Sequence, residues 1–175
     1  CIRDRPNSLA KILFVPLVDY MKLNFYSFLK RICDISFSIV LAFFLVPIYL
    51  LIALRIKSDS EGPILYMPLR AGFRGNNFKI YKFRTMFVGS DVGPGTTSKE
   101  DRRITNFGYF LRKFKLDETP QLFNIIKGDM SFVGPRPELL KYTEKYNKKE
   151  KEILSVRPGI TDFASIEYSN FNEYV

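Results

Sequence analysis

Two consecutive stretches carry side chains that could do chemistry together. Leu116-Asp117-Glu118-Thr119-Pro120-Gln121-Leu122-Phe123-Asn124 sets two carboxylates side by side, and Gly128 to Glu138 follows at once with Asp129 and with Arg136 between two prolines. Arg112 lies five residues before Asp117, and Lys82 and Arg84 stand further upstream. A carboxylate has an ordinary pKa of about 4, so Asp117 is ionised at neutral pH and able to attack a phosphorus atom, giving an acyl phosphate. Glu118 or a divalent cation completes such a site, and Mg²⁺ is the natural expectation, because it prefers carboxylate and phosphate oxygens. A guanidinium stiffened by Pro135 and Pro137 suits phosphate, which it grips with two hydrogen bonds. The plain alternatives are a surface ion pair for Asp117-Glu118 and a cap or turn for Asp129.

Composition narrows the chemistry. The 175 residues are enough for one domain with a real core, and 27 Lys+Arg against 18 Asp+Glu give a net charge of +9. That balance favours an anionic partner: phospholipid headgroups, a nucleotide or a nucleic acid. The chain contains no histidine, which excludes imidazole bases, histidine metal ligands and serine or cysteine nucleophiles activated by histidine. Cys1 and Cys33 form no metal or redox pattern and read as structural or incidental.

Several elements must position those residues. Ile35 to Leu54 is free of charge and about long enough to cross a bilayer core. It is too apolar for an ordinary core helix and lacks the cleavage site of a signal peptide. Lys30 and Arg31 precede it, Arg55 and Lys57 follow it, and Pro47 falls within it. Positive charge at both ends resists placing either end outside, so a helix that enters, bends at Pro47 and returns is expected; a kinked span is the alternative. Ser58 to Pro63 is a turn, after which Ile64 to Tyr66 and Phe78 to Phe83 read as strands of a hairpin joined through Ala71 to Asn77. Gly93 to Lys99 lacks the spacing of a phosphate loop and reads as a surface loop. Phe107, Phe110, Leu111 and Phe114 predict an amphipathic helix, facing either the core or a headgroup layer. Glu138 to Leu154 predicts a further helix with Leu139, Tyr142, Tyr146 and Ile153 on one side. Arg157-Pro158-Gly159-Ile160-Thr161 ends it in a turn.

The blocks Lys30-Arg31 with Asp34, Tyr81 to Met86, Leu116 to Asn124, Gly128 to Pro137 and Arg157 to Thr161 occur in an order that closely resembles the bacterial sugar transferases. These are monotopic polyprenyl-phosphate hexose-1-phosphate transferases. The resemblance implies transfer of a sugar-1-phosphate from a UDP-sugar to undecaprenyl phosphate, with release of UMP and use of Mg²⁺, at the cytoplasmic face of the bacterial inner membrane. It implies a re-entrant membrane helix and a nucleophile at Asp117, which would also meet the metal, with Glu118 beside it. Arg112 and Arg136, then Lys82, Arg84 and Arg157, are the expected phosphate-binding cations. The expected partners are the UDP-sugar, undecaprenyl phosphate, membrane lipid and a second copy in a homodimer, with no nucleic acid.

Two departures from the family pattern stand out. Val46-Pro47 replaces the frequent Ser-Pro, and Asp162-Phe163-Ala164-Ser165-Ile166-Glu167 replaces Gly-x-Ala-Gln. Relatives also continue beyond the position of Val175 with helices that include another functional aspartate. The expected organisation is therefore a leader over 1–27 that is foreign before Met21, a re-entrant helix over 28–57, and a catalytic domain over 58–175 that stops short. The fold expected is α+β, a monotopic membrane protein with interfacial amphipathic helices and a small β-hairpin. It would start capsule, O-antigen or related glycan assembly. The rivals are a non-catalytic scaffold that binds lipid phosphate and a basic nucleic-acid module. The second is disfavoured because the 17 Phe and 10 Tyr fall largely in apolar runs.

Overall fold

The computed structural model describes residues 7–90 and 101–162, with side chains from Phe25 onward. The Gly93 to Lys99 loop and the Phe163 to Glu167 departure lie outside the described residues. One helix, α1 (Asn7–Asp59, 53 residues), forms the spine. It contains no glycine and continues without a break through Pro47. The bend expected there does not interrupt the helix, which loses a single backbone donor at Pro47. The helix ends at Asp59, and at Gly62 the following turn takes φ +120°, a conformation that side chains with a Cβ resist.

From Arg31 onward, one flank of α1 lies against the rest of the molecule. Asp34, Ser38, Ala42, Ile52 and Ile56 are buried on it, at the spacing of a single helical face. The opposite flank stays open, with Phe43 73%, Phe44 68% and Leu54 68% exposed. Both ends of the apolar run are fastened to the same body. At the first, Arg31 donates to the carbonyls of Ile125 at 2.5 Å and Met130 at 3.1 Å. Lys30 and the Ser131 hydroxyl both donate to Asp34 Oδ2, at 2.8 and 2.7 Å. At the second, Asp59 Oδ2 accepts from the Phe107 backbone N–H at 3.1 Å.

The hairpin forms in two sections. β1 (Leu65–Tyr66) pairs antiparallel with β4 (Lys82–Phe83), and β2 (Leu69–Ala71) with β3 (Asn77–Lys79). Strand character thus extends into Leu69 to Ala71, which a turn reading of Ala71 to Asn77 hides. Between the sections the Tyr81 N–H donates to Asn124 Oδ1 at 2.9 Å, not to a strand. This shifts the side-chain alternation, so Phe78, Ile80 and Phe83 are all buried. Phe78 and Ile80 join Ala42, Leu122, Ile125 and Met130 in one core cluster, while Phe83 and Leu111 join Ile52 and Ile56 in the other. Each such buried apolar side chain contributes about 1.5–3 kcal/mol.

α2 (Asn106–Lys113) begins at Thr105, whose hydroxyl accepts from the Gly108 N–H at 3.0 Å. Its apolar stripe divides: Leu111 is fully buried, whereas Phe110 and Phe114 stay exposed beside the stacked Phe107. α3 (Gln121–Lys127) ends at Gly128, φ +106°, and leads into β5 (Ser131–Val133). β5 pairs in parallel with β6 (Gly159–Thr161). The helix expected over Glu138 to Leu154 is not continuous. α4 covers only Leu140–Thr143, and a 3₁₀ segment spans Glu150–Ser155. Asn147 divides them, because Asn147 and Glu150 each accept from the other's backbone N–H, at 2.9 and 2.8 Å, and so start a new turn.

Candidate active site

The Asp-Glu pair sits on a turn built for it. After α2, Lys115 adopts a left-handed conformation, φ 57°, which reverses the chain into a 3₁₀ turn over Leu116–Glu118. Leu116 packs against the cluster containing Ile52 and Ile56. Tyr49 of α1 donates its hydroxyl to the Thr119 carbonyl at 2.9 Å, so the membrane-type helix directly braces this turn.

The two carboxylates have different surroundings. Glu118 Oε1 accepts from Lys82 Nζ at 2.6 Å, and Arg136 Nη2 stands 3.8 Å away. Burial pushes the Glu118 pKa up, but Lys82, Arg136 and Lys115 overcome that and hold it below the ordinary value. Asp117 makes no ion pair among the described residues. Burial, then the neighbouring Glu118 charge, raises its pKa, with Lys82 and Arg112 opposing. One carboxylate is therefore neutralised and fixed, while the other is left free.

Five of the residues expected at the site come together: Asp117, Glu118, Lys82, Arg112 and Arg136. Arg112 donates through Nε to Thr85 Oγ1 at 2.9 Å, which orients its plane. Arg136 is held beside β2, because the Ala71 N–H donates to the Glu138 carbonyl at 3.1 Å. Arg84 is buried and donates to the carbonyls of Ser60 and Glu61, gripping the end of α1. Arg157 donates to the Gly128 carbonyl at 3.0 Å and lies over the Phe73 ring. Asp129 is 3.3 Å from Lys127 and belongs to the α3 terminus.

A cleft of about 240 Å³ is lined by Lys82, Glu118, Gln121, Arg136, Glu138 and Arg70, among others. Arg70 is a cation that sequence reasoning missed. Burial, above all, lowers its pKa, and the nearby Arg136 adds to this. The signal was the strand pairing of Arg70 with Phe78, which appears only once β2 is recognised.

A model of the bacterial sugar transferase family matches residues 25–174. The chain belongs to that family. An undecaprenyl-phosphate glucose phosphotransferase of Komagataeibacter xylinus is 38% identical over 179 residues, covering 95% of this chain and 32% of its own length. A UDP-glucose:undecaprenyl-phosphate glucose-1-phosphate transferase of Klebsiella pneumoniae is 36% identical, covering 94% and 36%. A putative undecaprenyl-phosphate N-acetylgalactosaminyl 1-phosphate transferase of Bacillus subtilis is 38% identical over 125 residues, covering 71% and 70%. The chain thus spans about a third of the length of the first two relatives. In this sugar transferase family member, no group of three or more acidic, histidine or cysteine side chains converges among the described residues. Asp117 and Glu118 are hard oxygen donors of the type taken by Mg²⁺, which is commonly held by one or two protein carboxylates together with substrate phosphates.

Proposed function

We propose that this chain carries the catalytic centre of a phosphoglycosyl transfer from a UDP-sugar to a polyprenyl phosphate, with undecaprenyl phosphate as the acceptor. The observation that carries it is the setting of a partly buried Asp117, with no ion pair among the described residues, beside a Glu118 fixed by Lys82 and near Arg112 and Arg136. An Asp117 carboxylate oxygen attacks the phosphorus that bears the sugar. The bond from that phosphorus to the UMP oxygen breaks, and UMP leaves with the bonding electrons. A phosphate oxygen of the acceptor then attacks the same phosphorus, the bond to Asp117 breaks, and the carboxylate is restored. Burial that raises the Asp117 pKa also strips it of water and makes it a stronger nucleophile. Arg112 and Arg136 neutralise the phosphate oxygens, while Lys82 holds Glu118 still. Asp117 and Glu118 would hold Mg²⁺, which when bound supplies further neutralisation of phosphate charge.

The same proposal places the site at a membrane face. A helix with both ends fastened to one polar body, and with an open apolar flank, supports monotopic, re-entrant insertion over a simple span. The net charge of +9 agrees with the anionic cytoplasmic leaflet of the inner membrane. The test is release of UMP from a panel of UDP-sugars by the full protein and its Asp117→Asn variant. The variant should lose on the order of a thousandfold or more. Near-normal turnover would overturn the nucleophile, and no turnover by the unaltered protein would favour a lipid-phosphate-binding scaffold.

A further inference from the structure

Two amides are buried on α3, and the fold treats them differently. Asn124 is fully buried and spends both ends of its amide, accepting from the Tyr81 N–H at 2.9 Å and donating to the Lys79 carbonyl at 2.8 Å. Gln121 is only 2% exposed, yet its amide makes no hydrogen bond among the described residues. The amide is not walled in, because Gln121 lines the cleft of about 240 Å³ that also holds Glu118. A buried amide left without partners costs free energy, so the partner Gln121 lacks is expected to arrive with a ligand.

The chemistry of the amide says what completes it. It offers a donor and an acceptor side by side. A phosphate oxygen only accepts, and would leave the Gln121 carbonyl unpaired, whereas the cations Arg70, Lys82 and Arg136 of the same cleft suit phosphate well. A hydroxyl both donates and accepts, and so matches an amide. Position agrees with this choice. Gln121 follows the 3₁₀ turn of Leu116–Glu118 after two residues, within one turn of chain of the Asp117-Glu118 pair. In the transferase reading the sugar is bonded to the phosphorus that Asp117 attacks, while the nucleoside lies beyond a second phosphate. The hydroxyls nearest to this pair are therefore those of the sugar.

We propose that the Gln121 amide hydrogen-bonds a ring hydroxyl of the donor sugar and so helps decide which hexose is held for attack. The inference rests on the transferase reading above and adds a sugar-reading residue to it. Gln121 makes and breaks no covalent bond; it holds the sugar while Asp117 attacks. Discrimination comes from burial: a sugar without that hydroxyl leaves the amide unpaired in the complex as well.

The experiment is rapid quench of the full protein without acceptor, reading the UMP burst as a function of donor concentration. The donors are the UDP-hexose it uses, that donor lacking one sugar hydroxyl at a time, and the same donor built on 2′-deoxyuridine. Gln121→Met, close in size and without polar atoms, should lower the second-order burst rate with the intact donor about tenfold to a hundredfold. One sugar deletion should slow the unaltered protein by a similar factor and slow Gln121→Met no further. The variant's melting temperature without ligand should be unchanged or higher, since an unpaired buried amide has been removed. A burst unaffected by Gln121→Met, losses that multiply at every sugar position, or non-additivity with the 2′-deoxyuridine donor instead, would overturn the assignment. So would a melting temperature lower by several degrees, which would mean that the amide serves the fold. Even without a variant, an unaltered protein indifferent to every sugar hydroxyl would overturn it. Absence of a burst from the unaltered protein with any UDP-hexose would instead bring down the transferase reading, and this inference with it.

Discussion

At the scale of the residue, the division of labour within Asp117-Glu118 follows from one long-range contact. Lys82 reaches Glu118 across 36 positions of sequence, while Asp117 has no ion pair among the described residues. Because burial raises the Asp117 pKa, the folded protein resists its ionisation, so a neutral side chain there stabilises the fold. Asp117→Asn should therefore raise the melting temperature by a few degrees while abolishing turnover, a combination that calorimetry and a UMP assay check together. The same raised pKa fixes a pH dependence. Below it Asp117 is protonated and cannot attack, so the burst rate should fall as pH drops, at a pH above the ordinary aspartate range. Lys82→Met removes a charge that lowers the Asp117 pKa, and should move this acid limb to higher pH. An unmoved limb would mean that Asp117 is not the titrating nucleophile. Glu118 carries the opposite sign: its lowered pKa stabilises the fold above the ordinary glutamate value, and that stability is lost as pH falls through the folded one. The carboxylate pair was legible in the sequence because its members are adjacent. Which of the two is free was not, since that depends on β4 bringing Lys82 alongside.

At the scale of the element, the site depends on close approaches between segments. A Cβ on Gly108 would stand 2.2 Å from the Thr85 carbonyl oxygen, so only glycine lets α2 lie this close to the segment after β4. Gly108→Ala should cost about 1–3 kcal/mol in chemical denaturation. It should also lower turnover, because Arg112 on α2 is oriented by Thr85. Asn124 is fully buried, accepts from the Tyr81 N–H, and donates to the Lys79 carbonyl at 2.8 Å. Asn124→Leu strands both backbone groups and should cost about 1–3 kcal/mol for each, measured in the same way. Short elements were the hardest to foresee. A strand of three residues such as β2 carries too little alternation to be read, and the break between β3 and β4 is set by Asn124 on α3. The Asn147–Glu150 exchange that splits the expected Glu138 to Leu154 helix is similarly local, and the apolar spacing masks it.

At the scale of the molecule, the long apolar segment was plain in composition, and its charge-flanked ends already pointed to a common side. What composition could not supply is the buried flank along α1 and the bond from Tyr49 that joins it to the Asp117-Glu118 turn. In a background lacking Cys1 and Cys33, Ser27→Cys and Ser58→Cys should both react with a membrane-impermeant thiol reagent from the same side. Labelling from opposite sides would establish a span. Phe43→Glu with Phe44→Glu, on the open flank, should release the protein from membranes under conditions that retain the unaltered chain, since each charge costs about 2.5–3.5 kcal/mol in an apolar layer. Whether Asp117 carries the phosphosugar is settled by trapping it. The full protein is incubated with UDP-sugar and no acceptor, quenched, digested and examined by mass spectrometry. A hydroxylamine-labile sugar-phosphate adduct is expected on Asp117 and is expected to be absent from Asp117→Asn. Release of UMP with no adduct, or an adduct on any other residue, would contradict it.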